Sequence, residues 1–362
     1  MIPHSNRRPL VLVGMSGGVD SSVAAALLKQ RGFEVVGGFI KNWSETTDLW
    51  TGECAWRHER RDALRVAASL DIPLLTFDFE KAYRERVVAD LFRGYAAGET
   101  PNPDVLCNEA IKFGLFLEEA TKLGAAYVAT GHYARIRRRL FGGVRLLRGK
   151  DPDKDQSYFL HRVPQDALRR TLFPVGGMTK SSVRATARRL NLPVADKPDS
   201  QGICFIGKLD MADFLRTRIP SRPGDIVDAE GNVIGRHEGL ERYTIGQRQR
   251  IALSSGHPWY VARKDAEANR LVVVPADDHP LLFQRHAVVR DLHWTRGRAS
   301  RFPLHADVQI RYRQAPTPAV MTDRPEPGTV SIAFDTPVKA LAAGQSAVFY
   351  RGEECLGGGV LS

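Results

Sequence analysis

"LVLVGMSGGVDSSVAAALLKQRG", residues 10–32, is the stretch whose reading decides the fold. An apolar, valine- and leucine-rich run ends at Gly14, and helical sequence follows as far as Gly32. Ser16, Gly17, Gly18 and Asp20 lie between the two. A strand, a glycine turn and a helix in this order aim helix N-terminal N–H groups, and the positive end of the dipole, at the end of the strand. Gly17 and Gly18 let backbone approach a ligand with no Cβ in the way, and Ser16, Ser21 and Ser22 add hydroxyls. This is an anion site without a lysine. It is neither the GxxxxGK[ST] phosphate loop nor GxGxxG. Asp20 would repel phosphates unless a cation lay between, which implies Mg²⁺.

Outward from this stretch, short apolar runs alternate with helical patterns through the first two hundred residues. "FEVVGGFI" (33–40), "PLLTFDF" (73–79) and "AAYVATGH" (125–132) read as strands. "RRDALRVAASLDI", "ERVVADLFRGYAAG", "EAIKFGLFLEEATKLG" and "TKSSVRATARRLNL" read as helices, the last with Thr179 as its N-cap. That alternation predicts an α/β domain, a parallel sheet flanked by helices. After about residue 208 the texture changes to short strands and turns. From about 281 apolar and polar residues alternate, as in "HADVQIRYR" and "GTVSIAFD", predicting a small antiparallel barrel or sandwich. The expected divisions are 1–208, 209–280 and 281–362.

The chain has 362 residues, 43% of them hydrophobic, and a formal net charge of +11. The positive field favours polyanionic partners. No run is long and apolar enough to span a membrane, and the N-terminal residues lack a signal peptide's apolar core, so the expected location is cytoplasmic. Four cysteines, Cys54, Cys107, Cys204 and Cys355, make no disulfide framework and no CxxC pair, which argues against zinc. His58, His161 and His237 have no metal-ligand spacing.

Two further loops carry chemistry. "TPNPDVLCN" (100–108) reads as a proline-fixed loop holding Asp104 and Cys107 three residues apart, a carboxylate that can exchange a proton with a thiol. "KPDSQGICFIG" (197–207) places Cys204 between glycines, with Lys197 available to favour a thiolate if the fold brings it close. "HYARIRRRLFGGVRLLRGK" (132–150) concentrates seven basic residues in one hairpin-like stretch, a candidate clamp on a phosphate backbone.

Taken in order, "GMSGGVDSS", "TPNPDVLCN", "ATGHYAR", "DKDQSYFL", "KPDSQGICFIG", "YTIGQR" and "RYRQ" resemble the bacterial tRNA-specific 2-thiouridylases. The first of them is the PP-loop signature shared by the wider class of ATP pyrophosphatases. The resemblance runs from about residue 10 to the end. It implies a Rossmann-like PP-loop domain, a small central domain and a C-terminal antiparallel β-barrel. It implies ATP-dependent 2-thiolation of the wobble uridine of tRNA, by adenylation of the C2 oxygen and sulfur transfer from a cysteine persulfide, with AMP and pyrophosphate as products. Carried over by position, Gly14, Met15, Ser16, Gly17, Gly18, Val19, Asp20 and Ser21 would bind ATP, with Ile40 at the adenine and Gly131 nearby. Asn102, Pro103 and Asp104 would meet the target base. Cys107 would be the nucleophile, Cys204 the persulfide carrier and Asp104 the acid or base. His132, Lys154, Asp155, Gln156, Arg311, Tyr312 and Gln345 would touch tRNA. Glu109 stands where the family often has lysine, and "YTIGQRQR" where it often has "YTIGQRKG". The implied partners are tRNA, chiefly the Lys, Glu and Gln isoacceptors, and a sulfur donor, either a persulfide relay protein or a cysteine desulfurase. Two other readings compete. An adenylating amide ligase would need no cysteine pair, and a non-catalytic RNA-binding module would leave Asp104, Cys107 and Cys204 without a purpose.

Overall fold

The computed structural model describes residues 8–45, 54–139, 143–199, 211–249, 251, 253 and 257–362. Its first unit is a five-stranded parallel sheet formed by β1 (Leu10–Gly14), β2 (Glu34–Lys41), β3 (Leu74–Asp78), β4 (Tyr127–Ala129) and, later in the chain, β7 (Thr171–Leu172). Their order is β3-β2-β1-β4-β7. Valine-rich β1 is the central strand, with Val11 and Val13 fully buried on one face and Leu12 on the other. The chain moves outward from β1 in one direction to β2 and β3, then crosses back to β4. That reversal opens a crevice at the carboxyl ends of β1 and β4, where ligands bind in open α/β sheets.

The helix Val19–Gln30 follows β1, as the opening stretch predicts. One expectation is corrected. "TPNPDVLCN" is not a loop throughout: a continuous helix starts at Pro103 and runs to Lys122, widening to π geometry over Cys107–Leu115. Proline at the first helical position costs nothing because its missing N–H would have no partner there. Asn102 caps the end, its Oδ1 accepting from Val105 N at 3.4 Å. Cys107 therefore sits in the opening turns of a helix. The Thr179 cap is as expected, its Oγ1 accepting from Ser182 N at 3.3 Å.

β5 (Ala134–Arg138) and β6 (Val144–Arg148) form the basic hairpin. The middle unit is a four-stranded sheet of β8 (Gly224–Val227), β9 (Val233–His237), β10 (Tyr260–Asp265) and β11 (Arg270–Val274), in the order β10-β11-β8-β9. The last comprises β12 (Phe283–Trp294), β13 (Leu304–Gln309), β14 (Thr317–Asp323), β15 (Val330–Lys339), β16 (Ser346–Arg351) and β17 (Glu354–Leu361). Pairing runs β12-β15-β14-β13-β16-β17 and closes through β12 and β17, making a six-stranded antiparallel barrel. Alternation fills its interior with Val308, Met321, Ile332 and Phe349.

The hairpin changes its meaning in this setting. β6 pairs with β17, so the N-terminal unit adds two strands to the barrel sheet. Arg135, Arg145 and Arg148 are committed to Glu353, Glu354 and Asp155 respectively. Three of the seven basic groups thus hold the chain together, and the backbone-clamp reading is left with the exposed Arg137, Arg138, Arg139 and Lys150, of which Arg138 also donates to Arg169 O at 2.8 Å. No helix among the described residues is long and apolar enough to cross a membrane.

Candidate active site

The turn after β1 is built by its glycines. Gly17 has φ +73°, and a Cβ there would lie 2.3 Å from the carbonyl oxygen of Glu59. Gly131, just past β4, packs so closely that a Cβ would lie 2.6 Å from Ser21 N. The first intrahelical bond is Ser22 N to Gly18 O at 3.3 Å, which leaves the N–H groups of Val19, Asp20 and Ser21 at the helix head for an anion. The serines are used unequally. Ser22 Oγ donates inward to Gly18 O at 2.7 Å, so it is a cap and not a ligand hydroxyl. Ser21 Oγ also reaches Gly18 O, at 3.1 Å, and lies 3.3 Å from Ser16 Oγ. Met15 is buried, and its N–H is spent on Gly38 O at 2.8 Å, so it braces the turn from beneath.

The lysine that the turn lacks in sequence arrives from far along the chain. Lys180, on the helix Lys180–Arg189, donates to both oxygens of Asp20 at 2.8 Å. Tyr133 OH donates to Asp20 Oδ1 at 2.7 Å. Lys197 Nζ donates to Gly17 O at 3.1 Å and pairs with Asp62 at 2.6 Å. Asp20 therefore has a cationic partner within the chain, so its charge does not by itself require Mg²⁺. Its oxygens are occupied, and among the described residues no group of three His, Cys, Asp or Glu could hold a metal. Lys197, expected to favour the Cys204 thiolate if the fold brought it close, contacts Asp62 and Gly17 O. Cys204 lies outside the described residues.

Beyond Lys180 the charges continue. Asp199 pairs with Lys180 at 2.8 Å, with Lys154 at 2.8 Å and with Arg184 at 2.7 Å. Burial raises the Asp199 carboxyl, but Lys154 and Lys180 outweigh it and hold the group well below the usual carboxylate range.

Cys107 is fully buried. Burial pushes its thiol up to about 12; Lys112 opposes this and Asp104 adds to it. The thiol is protonated at neutral pH. Neighbouring Asn108 donates from Nδ2 to Phe159 O at 3.1 Å. Ile40, near the end of β2, is buried in the same core as Cys107, Ile111 and Phe116. His132 shares a 2.7 Å hydrogen bond with Thr130 and packs in a three-ring cluster with Phe113 and Phe173. Burial first, and Lys112 second, hold its imidazole neutral.

The remaining sequence-nominated residues gather where the three units meet. Gln345 Nε2 donates to Thr100 O at 2.6 Å, joining the barrel to the Cys107 segment. Arg311 reaches Ile245 O at 2.6 Å and Ala340 O at 3.1 Å, bridging the middle unit and the barrel. Tyr312 packs on Phe159 with ring centroids 4.5 Å apart. Gln156 Oε1 accepts from Tyr133 N at 3.0 Å. Asp155 differs from its neighbours. It is buried, accepts from Gly149 N and Ser157 N at 2.8 and 3.0 Å, and shapes the turn that displays Lys154. Glu109 pairs with Arg162 at 2.6 Å.

Lys180 and Tyr133 were missed by sequence reasoning, and Lys197 was read as a partner of a thiol rather than of the turn. Lys180 follows a recognisable N-cap and Tyr133 sits inside "ATGHYAR", but nothing in their spacing links either to Asp20.

Residues 9–208 match the family model described as the tRNA methyl transferase HUP domain. Residues 212–275 match its PRC-barrel domain and 284–361 an aminomethyltransferase beta-barrel domain. The chain is 48% identical over 357 residues to the tRNA-specific 2-thiouridylase MnmA of Ralstonia pickettii, covering 97% of this chain and 95% of that one. It is 44% identical to the protein of the same name from Geobacillus thermodenitrificans, covering 99% and 95%. A 4-thiouridine synthetase bound to RNA and ATP aligns over 59% of this chain and 50% of its own, with 16% identity and a TM-score of 0.35, too slight a likeness to carry an argument.

Proposed function

The chain belongs to the tRNA-specific 2-thiouridylase family, and from that premise we propose that it replaces the C2 oxygen of the wobble uridine, position 34, of tRNA with sulfur at the expense of ATP. It is a sulfurtransferase. The observation that carries the reading is a glycine-built helix-head anion site whose counter-cations are imported from residues 180 and 197, in the same unit as a buried thiol at the head of another helix.

In this reading the uridine C2 oxygen attacks the α-phosphorus of ATP and pyrophosphate leaves into the turn 14–21, where helix-head N–H groups, with Lys180 and Lys197 behind them, stabilise its charge. Mg²⁺ accompanies the nucleotide as its counter-ion, and no chain residue is assigned to it. The adenylated carbon then takes sulfur and releases AMP, carrying the former O2. Sulfur comes from a persulfide on Cys204. Its outer sulfur attacks C2 directly, after which Cys107 thiolate attacks Cys204 Sγ and leaves sulfur on the base; alternatively Cys107 first frees hydrogen sulfide, which attacks. Both routes end in a Cys107–Cys204 disulfide, which external thiols reduce. A thiol held near 12 is inert until its proton has an acceptor, and Asp104, one helical turn before it, is assigned that role. Asn102 and Pro103 flank the target base, and Ile40 and Gly131 bound the nucleotide. Lys154, Gln156, Arg311, Tyr312, Gln345 and His132 face the RNA. The divisions 1–208, 209–280 and 281–362 then correspond to a catalytic unit, a central unit and a tRNA-contacting barrel. The setting is cytoplasmic, with a relay protein or a desulfurase supplying the sulfur.

The test is to incubate the protein with ATP, Mg²⁺, a persulfide donor and unmodified tRNA for Lys, Glu or Gln, and to measure 2-thiouridine and AMP. Tenfold or greater loss of product in Cys107→Ser and Cys204→Ser, with ATP binding intact, supports the reading. AMP release that needs no tRNA overturns it.

A further inference from the structure

Asn42 is 1% exposed, and among the described residues neither its Nδ2 nor its Oδ1 has a hydrogen-bond partner. Buried amides are almost always paired, so one with both ends unmet implies a partner from outside the protein, an ordered water or a ligand. It follows β2 directly. Two other buried polar atoms without a partner lie on residues adjoining the proposed chemistry: Trp43 Nε1 and Asn108 Oδ1, the latter beside Cys107.

The positions converge. A Cβ on Gly38 would lie 2.5 Å from the Phe116 ring, so that face of β2 looks toward the helix 103–122. Gly38, Ile40 and Asn42 share parity along the strand direction. The helix descends toward the foot of the sheet, where Ala126 N donates to Leu10 O at 2.9 Å. Ile40 and Trp43, on either side of Asn42, share one core with Cys107, Ile111 and Phe116, so Asn42 lies between residues packed into the same core as the Cys107 helix.

We infer that Asn42 holds the target uracil, its Oδ1 accepting from N3–H and its Nδ2 donating to O4. That pairing leaves O2 open to the α-phosphorus and C2 open to sulfur. A flipped base supplies N3–H to Oδ1 and O4 to Nδ2, the donor and the acceptor that the Asn42 amide lacks. This inference rests on the uridine-thiolation reading and adds a residue to it.

The test uses synthetic anticodon stem-loops carrying uridine or 3-deazauridine, which lacks N3–H, at the target position. The wild type binds the uridine RNA about 10- to 100-fold more tightly. Asn42→Leu binds both equally weakly, keeps ATP affinity, and melts no lower than the wild type because a costly unpaired amide has been removed. Asn42→Asp, which keeps an acceptor, retains a preference for uridine. The inference is overturned if Asn42→Leu keeps the wild-type preference, if the wild type has none, if ATP binding falls instead, or if Asn42→Leu melts several degrees lower. Absence of thiolation by the wild type on full tRNA would count against the function itself, not against this assignment.

Discussion

Lys180 Nζ lies 2.8 Å from both carboxylate oxygens of Asp20 and 2.8 Å from Oδ1 of Asp199. One ammonium group therefore joins the anion-binding turn to the segment that leads into the Cys204 loop.

Removing that ammonium leaves Asp20 facing an incoming triphosphate uncompensated. Lys180→Met is expected to weaken ATP binding about 10- to 100-fold at constant Mg²⁺. Calorimetric titration with a non-hydrolysable ATP analogue measures this. Unchanged affinity would put the Asp20–Lys180 pair outside the reach of the phosphates.

The same cluster sets a pH dependence. Asp199 is held below its ordinary value of 3.8 in the fold, burial notwithstanding, by Lys154 and Lys180. A depressed carboxylate stabilises fully above its unfolded value, and the contribution is lost as pH falls through the folded one. The melting temperature should drop more steeply below pH 4 in the wild type than in Asp199→Asn. The group is part-exposed, so the difference will be modest; parallel curves would contradict the account.

Cys107 offers a chemical test. A buried thiol near 12 does not react at neutral pH. Iodoacetamide at pH 7.5 should leave it unmodified in the native protein and label it in denaturant, as read by peptide mass spectrometry. Rapid native labelling would show that the thiol is open or ionised.

Gly131 tests the packing of the turn. A Cβ there would meet Ser21 N at 2.6 Å and Asp20 C at 2.7 Å, both backbone atoms that cannot swing aside. Gly131→Ala should cost at least tenfold in ATP affinity while the circular dichroism spectrum is kept. Normal binding would mean that the turn adjusts freely.

The strand-turn-helix order of 10–32 was legible because strand and helix periods differ and glycines punctuate them. The barrel was legible as alternation, although its closure through β12 and β17 depends on long-range pairing that no local pattern encodes. Pro103 misled: proline reads as a loop, yet at a helix start it is favoured once Asn102 supplies the cap. Asp20 gave no sign of its lysine partner because that partner lies 160 residues away. Asn42 was invisible because an asparagine after a strand normally faces water, and only its burial without partners reveals a demand.

The account turns on where the uridine oxygen goes. Transcribed tRNA carrying ¹⁸O at C2 of the wobble uridine, turned over with ATP and a persulfide donor, should give one 2-thiouridine per AMP, with the ¹⁸O in the phosphate of that AMP. Label in inorganic phosphate or water, with none in AMP, would contradict adenylation at C2 and with it the role assigned to the turn 14–21.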